Sequence, residues 1–312
     1  MSLELRHVRY LLAVAEHGSF TRAADDLHIS QPTLSQQIKQ LERALGVRLL
    51  DRTGRAVRLT DAGEAYLGHA RRALRELAAA ERAVHDVQDL SRGHLRLGVT
   101  PTFIAYLVGP LTARFHTGHP GVTLTVVETT QDRIESALLA DDLDVGIAFD
   151  GSHLPGITAT PLFTETLSLV AGSRHAGSPG PAADAGRPGT ARDVPVPVRA
   201  LDERRLALLS SDFATRLHID AYFTRHRVHP RIAVEANSIH AITEIVQRTS
   251  LATVLPDPIA RDHPHLSLIP LDPPLPARGV VLLRREGAYQ GAATRVFVQV
   301  IHELVAREWS GG

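Results

Sequence analysis

The chain contains no cysteine, which excludes a disulfide framework and any thiolate metal site. No apolar run approaches the roughly 20 residues that a bilayer-spanning helix needs, and no basic-then-apolar segment reads as a leader. The expectation is a cytoplasmic protein with no membrane partner, although the absence of cysteine alone does not establish the compartment. Catalytic signatures are missing as well. GVTPT at 98–102 is not a dinucleotide fingerprint, and no G-x-x-x-x-G-K-[ST] phosphate loop occurs. Ser210 and Ser211 lack a G-x-S-x-G elbow. His116 and His119 lack the HExxH arrangement and read as surface histidines. No enzymatic role, metal or resident cofactor is therefore expected. Nor is there an excess of charge: 34 basic and 34 acidic residues give a net charge of +0. For a nucleic-acid partner the distribution matters more than the sum.

That distribution is uneven. Up to Thr60 there are nine basic residues against six acidic ones. Within this stretch, residues 21–27 can form one helix, 28–30 a tight connection and 31–45 a second helix. Ser30 is a good N-cap because its hydroxyl can accept a first-turn amide. Pro32 falls in the first turn, where a missing N–H costs little, and Gly46 ends the helix. Leu34, Ile38, Leu41 and Leu45 make one apolar stripe. Gln31, Thr33, Ser35, Gln36, Gln37 and Lys39 lie off it. This is a helix-turn-helix whose second helix can enter a major groove amino end first. Two amphipathic helices with a short connection also occur in proteins that never touch nucleic acid, so the flanks decide.

Before the pair, 5–17 reads as a helix, with Phe20, Ala23 and Ala24 able to pack against it; Asp25 and Asp26 read as solvated. After the pair, apolar runs at 47–50 and 57–59 flank a turn at Thr53 and Gly54, giving a β-wing that carries Arg52, Arg55 and Arg58. Arginines there can hold phosphate oxygens or enter a narrow minor groove. Thr60 can cap a long helix running to about residue 88, on which Leu67, Ala70, Leu74, Leu77 and Val84 follow a 3-4 alternation. Pairing with the same helix of a second subunit would bury that stripe and present two reading helices to two half-sites.

Composition changes after the Ser-Arg-Gly at 91–93. Strands are expected at 95–99, 124–128 and 144–149, with helices at 103–115 and 132–139. A second unit follows: strands at 167–172, 206–210, 231–235 and 251–256, with helices near 215–225 and 239–248. Strands at 266–271 and 279–285 and a helix at 291–307 complete the chain. This alternation predicts an α/β domain of two lobes with largely parallel sheets. The Gly/Pro/Ala-rich stretch 175–197 reads as a loop with no chemistry of its own. Thr100, Thr102, Thr129, Phe149, Ser210 and Ser211 stand at strand ends, where hydroxyls and helix N-termini suit a small anion. Each hydroxyl is also an ordinary helix cap.

The whole order resembles the LysR-type transcriptional regulators over essentially the full chain. The resemblance is carried by SFTRAADDLHISQPTLSQQIKQLERALGVRLLDRTGRAVRLTDAGEAYL at 19–67. It implies a mainly α winged helix-turn-helix over 1–60, a dimerising linker helix over 61–90 and a periplasmic-binding-protein-like (type 2) effector domain over 93–312. Lobe I is expected at about 93–161 and 267–312, and lobe II at about 162–266. Double-stranded promoter DNA is the implied partner of a homodimer, assembled into a homotetramer, with RNA polymerase a further partner. By position, Gln31, Pro32, Thr33, Ser35 and Gln36 resemble the base-reading set; Ser30, Lys39, Arg52 and Arg55 resemble phosphate contacts. Thr100, Thr102, Thr129, Phe149 and Ser211 resemble the effector-binding set.

Within the family, AVAEHGSFTRAA, RLTDAGE, VTPTF, LDVGIAF, EANSI and QRTSLATVLP resemble the branch that activates cyanate degradation. That implies an activator responding to cyanate or another small anion. The alternatives are a regulator answering an aromatic or other organic acid, and a solute-binding oligomer that does not touch DNA. Two departures stand out. Residues 175–197 are longer and richer in Gly and Pro than the usual connection. Thr249, Ser250 and Leu251 replace a G-x-G-I-x-x-L-P-like segment, which bears on the cleft floor.

Overall fold

The computed structural model describes residues 4–53, 56–86, 93–173, 194–202 and 204–308. It divides into two compact units, Met1–His85 and Asp86–Gly312. Arg55, most of 175–197 and the end of the expected linker helix lie outside the described residues.

The first unit opens with α1 (Leu5–His17), α2 (Phe20–Asp26) and α3 (Gln31–Leu45). Gly18 and Gly46 follow α1 and α3 in the left-handed region, at φ 58° and 70°, where a residue without Cβ ends a helix at least cost. Ser19 caps α2 and Ser30 caps α3, each accepting a backbone amide three residues on. Two short antiparallel strands, β1 (Leu50–Asp51) and β2 (Arg58–Leu59), form the wing. Leu11, Val14, Ala23, Ala24, Leu34, Ile38, Leu41 and Leu49 fill the core. Each large aliphatic side chain buried in this way contributes about 1.5–3 kcal/mol.

The long helix α4 (Asp61–Asp86) grows out of the wing. Thr60 starts it: its hydroxyl accepts from the Gly63 amide at 3.0 Å and donates to the Arg48 carbonyl at 2.7 Å. The first turn lies so close to the wing that a Cβ at Gly63 would sit 2.1 Å from the Leu49 carbonyl oxygen. The expected stripe divides along this helix. Leu67 is buried in the winged core, whereas Leu77 is 44% exposed in the single chain. The helix therefore packs within its own domain along its first turns; Val84 lies where side chains are not described.

The second unit runs β3 (Gly93–Val99), α5 (Pro101–Ile104), α6 (Val108–Gly118), β4 (Val122–Glu128), α7 (Gln131–Leu139), β5 (Val145–Phe149) and β6 (Ile157–Glu165). It continues with β7 (Leu167–Gly172), β8 (Val196–Pro197), β9 (Arg205–Leu209), α8 (Ala214–His226), β10 (Arg231–Ala236), α9 (Ile239–Arg248), β11 (Ala252–Pro256), α10 (Asp257–Arg261) and β12 (Leu266–Ile269). The last elements are β13 (Leu271–Asp272), β14 (Arg278–Arg285) and α11 (Ala292–Glu308). Two five-stranded sheets result, ordered β4-β3-β5-β14-β6 and β10-β9-β11-β7-β12.

The sheets are mixed rather than largely parallel. In each, the first three strands run parallel and the fourth is antiparallel to both of its neighbours. That fourth strand is the one that arrives from the other lobe: β7 on leaving the first sheet, β14 on returning to it. Strand β6 escapes the alternation pattern because Pro161 interrupts it. The proline is accommodated on an edge strand, beside a register shift between Val280 and Val281. The single helix expected at 103–115 is broken between α5 and α6, and the break turns Tyr106 into the interior. Thr249 closes α9 by donating to the Ile245 carbonyl at 2.8 Å. Among the described residues no helix is long and apolar enough to cross a membrane.

Candidate nucleic-acid interface and interlobe cluster

Helix α3 buries Leu34, Ile38 and Leu41 and turns most of its polar residues outward. Gln31, Pro32, Ser35, Gln36, Lys39, Gln40 and Arg43 line one continuous groove. Lys39 and Arg43 also line a second concavity that runs to the wing past Val47, Arg48 and Arg52. Arg43 was not among the expected contacts. Its signal is the four-residue step from Lys39, which puts both cations on one helical face. Thr33 and Gln37 are already engaged. The Ser30 hydroxyl lies 2.7 Å from the Thr33 hydroxyl as well as accepting the Thr33 amide. Gln37 points inward, its Oε1 2.9 Å from Nε2 of the buried His7, whose Nδ1 accepts from the Glu4 amide.

The wing is fastened to α3 by Glu42, which sequence reading did not single out. Glu42 Oε1 accepts from the Leu49 and Leu50 amides at 3.0 and 3.2 Å, and Oε2 from Arg52 at 2.9 Å. The Arg52 guanidinium also stacks 5.0 Å from the Phe20 ring centroid. Arg52 is thus held by an acid and an aromatic face rather than left free on the surface. Hydrogen bonds from Thr53 hold the Asp51 carboxyl below its usual range.

A second group of polar residues lies inside the effector unit, where the two sheets meet. Thr102 on α5 and Thr215 at the start of α8 place their hydroxyls 2.9 Å apart. Arg278, the first residue of β14, donates to Thr215 Oγ1 at 2.8 Å and to Glu165 Oε2 at 2.6 Å. Tyr106 donates to the other Glu165 oxygen at 2.5 Å. One face of the guanidinium rests 3.6 Å from the Phe149 ring centroid. All of these residues are buried or nearly so. Burial pushes the Glu165 carboxyl up, with Arg278 and Tyr106 opposing it. Burial, with Glu165 adding to it, raises the Tyr106 phenol well above its ordinary value. The Thr100 hydroxyl is buried and has no hydrogen-bond partner.

Of the expected effector residues, Thr102 and Phe149 therefore belong to one cluster, and Thr100 begins the turn that carries Thr102. Thr129 is half-buried and its amide donates to the Val99 carbonyl at 3.0 Å, which places it beside that turn. Ser211 stays apart, exposed between β9 and α8. Arg278, Glu165, Tyr106 and Thr215 were not foreseen. Arg278 and Glu165 are 113 residues apart, so no local pattern announces their meeting. Among the described residues no group of three or more acids and histidines is arranged to hold a metal ion.

Comparison with known proteins agrees with both halves. Residues 5–64 match the family described as "Bacterial regulatory helix-turn-helix protein, lysR family", and 88–306 match "LysR substrate binding domain". The chain is 34% identical over 260 residues to the nitrogen assimilation regulatory protein nac of Klebsiella aerogenes, covering 83% of this chain and 80% of that one. A full-length OxyR variant from Pseudomonas aeruginosa shares the fold at 23% identity, with a TM-score of 0.69 over 98% of this chain and 95% of that one. CbnR bound to its target DNA aligns at 25% identity and a TM-score of 0.63, over 96% and 99%. The helix-turn-helix match overturns the alternative of a solute-binding oligomer that does not touch DNA.

Proposed function

Because this chain belongs to the LysR family of bacterial regulators, we propose that it activates a target operon in response to a small anion, with cyanate the candidate drawn from its sequence. At the coarser level it is a DNA-binding transcriptional regulator with a small-molecule effector domain, and not an enzyme. The observation that carries the DNA-contact assignment is the outward face of α3, where Gln31, Ser35, Gln36, Lys39 and Arg43 share one groove. Glutamine can pair with adenine edges, and the hydroxyl of Ser35 can donate to bases or phosphates. Lys39, Arg43 and Arg52 supply phosphate contacts, and Arg55, outside the described residues, is a further proposed contact. Pro32 and Thr33 complete the amino end, with Ser30 as the cap. The exposure of Leu77 on α4 supports a homodimer, and the family supports a homotetramer that engages RNA polymerase in the cytoplasm.

For the effector, Thr100, Thr102, Thr129 and Phe149 are the proposed lining, with Ser211 the residue proposed from the other lobe. Met1 is the only sulfur-bearing residue of the chain. With no cysteine a thiol switch is excluded, and non-covalent binding is the proposed signal. A bound ligand shifts a pre-existing balance between lobe or subunit arrangements and so changes how the DNA is bent. An aromatic or other organic acid is the second reading. It is favoured by the aromatic wall of Phe149 and Phe103, whose ring centroids are 4.9 Å apart.

Electrophoretic mobility of the upstream intergenic DNA tests the DNA assignment; a folded dimer that fails to bind at low salt would refute it. Thermal shifts against cyanate, bicarbonate, azide and an aromatic acid test the effector. Stabilisation by the aromatic acid and not by cyanate would overturn the cyanate assignment.

A further inference from the structure

The proposed effector is an anion, yet the cluster that would receive it already contains one. Arg278 gives one donor to Glu165 and another to Thr215, and lays a face on Phe149. The Arg278 and Glu165 side chains are only 9% and 0% exposed, so water does not screen the pair. Around this guanidinium stand Phe149 and the hydrogen-bonded hydroxyls of Thr215 and Thr102. The turn that carries Thr102 also holds Thr100, whose buried hydroxyl lacks a partner. A ligand at this place meets hydroxyls with unused capacity, but a cation whose charge is already balanced.

We propose that Glu165 is the built-in counter-anion of the effector site, and that an anionic effector binds there only together with one proton. The inference rests on the assignment of this cluster as the effector site. With Arg278 at +1 and Glu165 at −1 the cluster is neutral. A second anion on the same guanidinium would leave two like charges buried side by side, and such a pair does not stay fully ionised. The incoming anion takes over the Arg278 donors and the Thr100 hydroxyl. Glu165 gives up the guanidinium and accepts a proton from solvent, while Tyr106 continues to donate to its other oxygen. No covalent bond changes beyond that protonation, and the site gains one anion and one proton. Of the other groups facing Glu165, Tyr106 is held protonated by burial, and His218 bonds through Nε2 to the Pro276 carbonyl at 2.8 Å; the Glu165→Gln variant distinguishes proton uptake at Glu165 from uptake at His218. A neutral ligand would need no proton, so the linkage also reports the charge class of the effector.

The test is calorimetric titration of the full-length protein with sodium cyanate, sodium azide and sodium benzoate at pH 6 and 8, in two buffers of different ionisation enthalpy. The expected result is binding of one of these anions with uptake of about one proton per ligand. The dissociation constant then rises by up to about tenfold per pH unit. Glu165→Gln keeps an acceptor for Tyr106 but carries no charge. It should bind the same anion with pH-independent affinity, more tightly than the native chain at pH 8. Binding by the native chain without proton uptake overturns the proposal. So does silence of all three anions towards both the native chain at pH 6 and a folded Glu165→Gln. The proton count needs no variant, so a Glu165→Gln chain that fails to fold leaves the test standing. Promoter binding without effector is measured in parallel, and its loss would count against the regulator assignment instead.

Discussion

The outer face of α3 and the interlobe cluster are built from overlapping residue types: hydroxyls, arginine and an acid. On α3 the proposed DNA-contact residues are exposed, Ser35 partly so, and the partners they have are local, such as a cap three residues away. In the cluster the residues are sealed from water and come from six separate elements or turns. The first arrangement keeps donors available for a partner. The second satisfies nearly every donor internally and leaves a single hydroxyl, that of Thr100, without one. A polar side chain in water costs little and adds little to stability. The same side chain in an interior is costly to leave unpaired. The two regions should therefore respond to substitution in different observables, stability for the cluster and affinity for the face.

The largest expected effect is at the cluster. Arg278→Ala strands the buried Glu165 carboxylate and should destabilise the effector unit by about 3–5 kcal/mol, read as a lowered denaturant midpoint for that unit. Specific DNA contacts of the winged unit would be untouched. A loss below about 1 kcal/mol would show that the cluster is wetter than the structure has it. Next comes Gly63→Ala, which sharpens the contrast from the other side. Its Cβ would press on the Leu49 carbonyl and should cost the winged unit about 1–3 kcal/mol, weakening DNA binding while the effector unit melts as before. Ser30→Ala removes a cap and should cost about 1 kcal/mol, with a smaller fall in DNA affinity. The smallest stability change is at Lys39. Lys39→Ala should leave the melting curve within about 0.5 kcal/mol of the native one, while lowering the salt slope of DNA binding by about 0.9. A Lys39→Ala chain with an unchanged slope would remove Lys39 from the phosphate contacts.

The same difference decides what can be read in advance. The cap at Ser30, the stop at Gly46 and the stripe of Leu34, Ile38 and Leu41 are relations within one turn or one helix. They are written in adjacent letters. The wing and the start of α4 at Thr60 are legible for the same reason. Glu42 is a partial miss: the amides it accepts from lie seven and eight residues ahead, beyond the helical period but within one motif. The cluster is a full miss apart from Thr100, Thr102 and Phe149, which stand out as strand-end residues and by resemblance. Its other members meet only because β14 returns to the first sheet and α8 abuts it from the second. The expectation of largely parallel pairing fails for a related reason. Alternation of strands and helices gives the local handedness of each unit, but not that one strand of each sheet is supplied by a crossing.

That crossing also sets an order in time. Strand β14 lies between β5 and β6 in the first sheet, and pairs with β6 along its whole length. The ribosome releases it only after the entire second lobe. A nascent chain can complete the winged unit, with its local contacts, long before the first sheet has its fourth strand. During synthesis the part that grips DNA is finished ahead of the part that governs it, and the edges of β5 and β6 wait exposed in between.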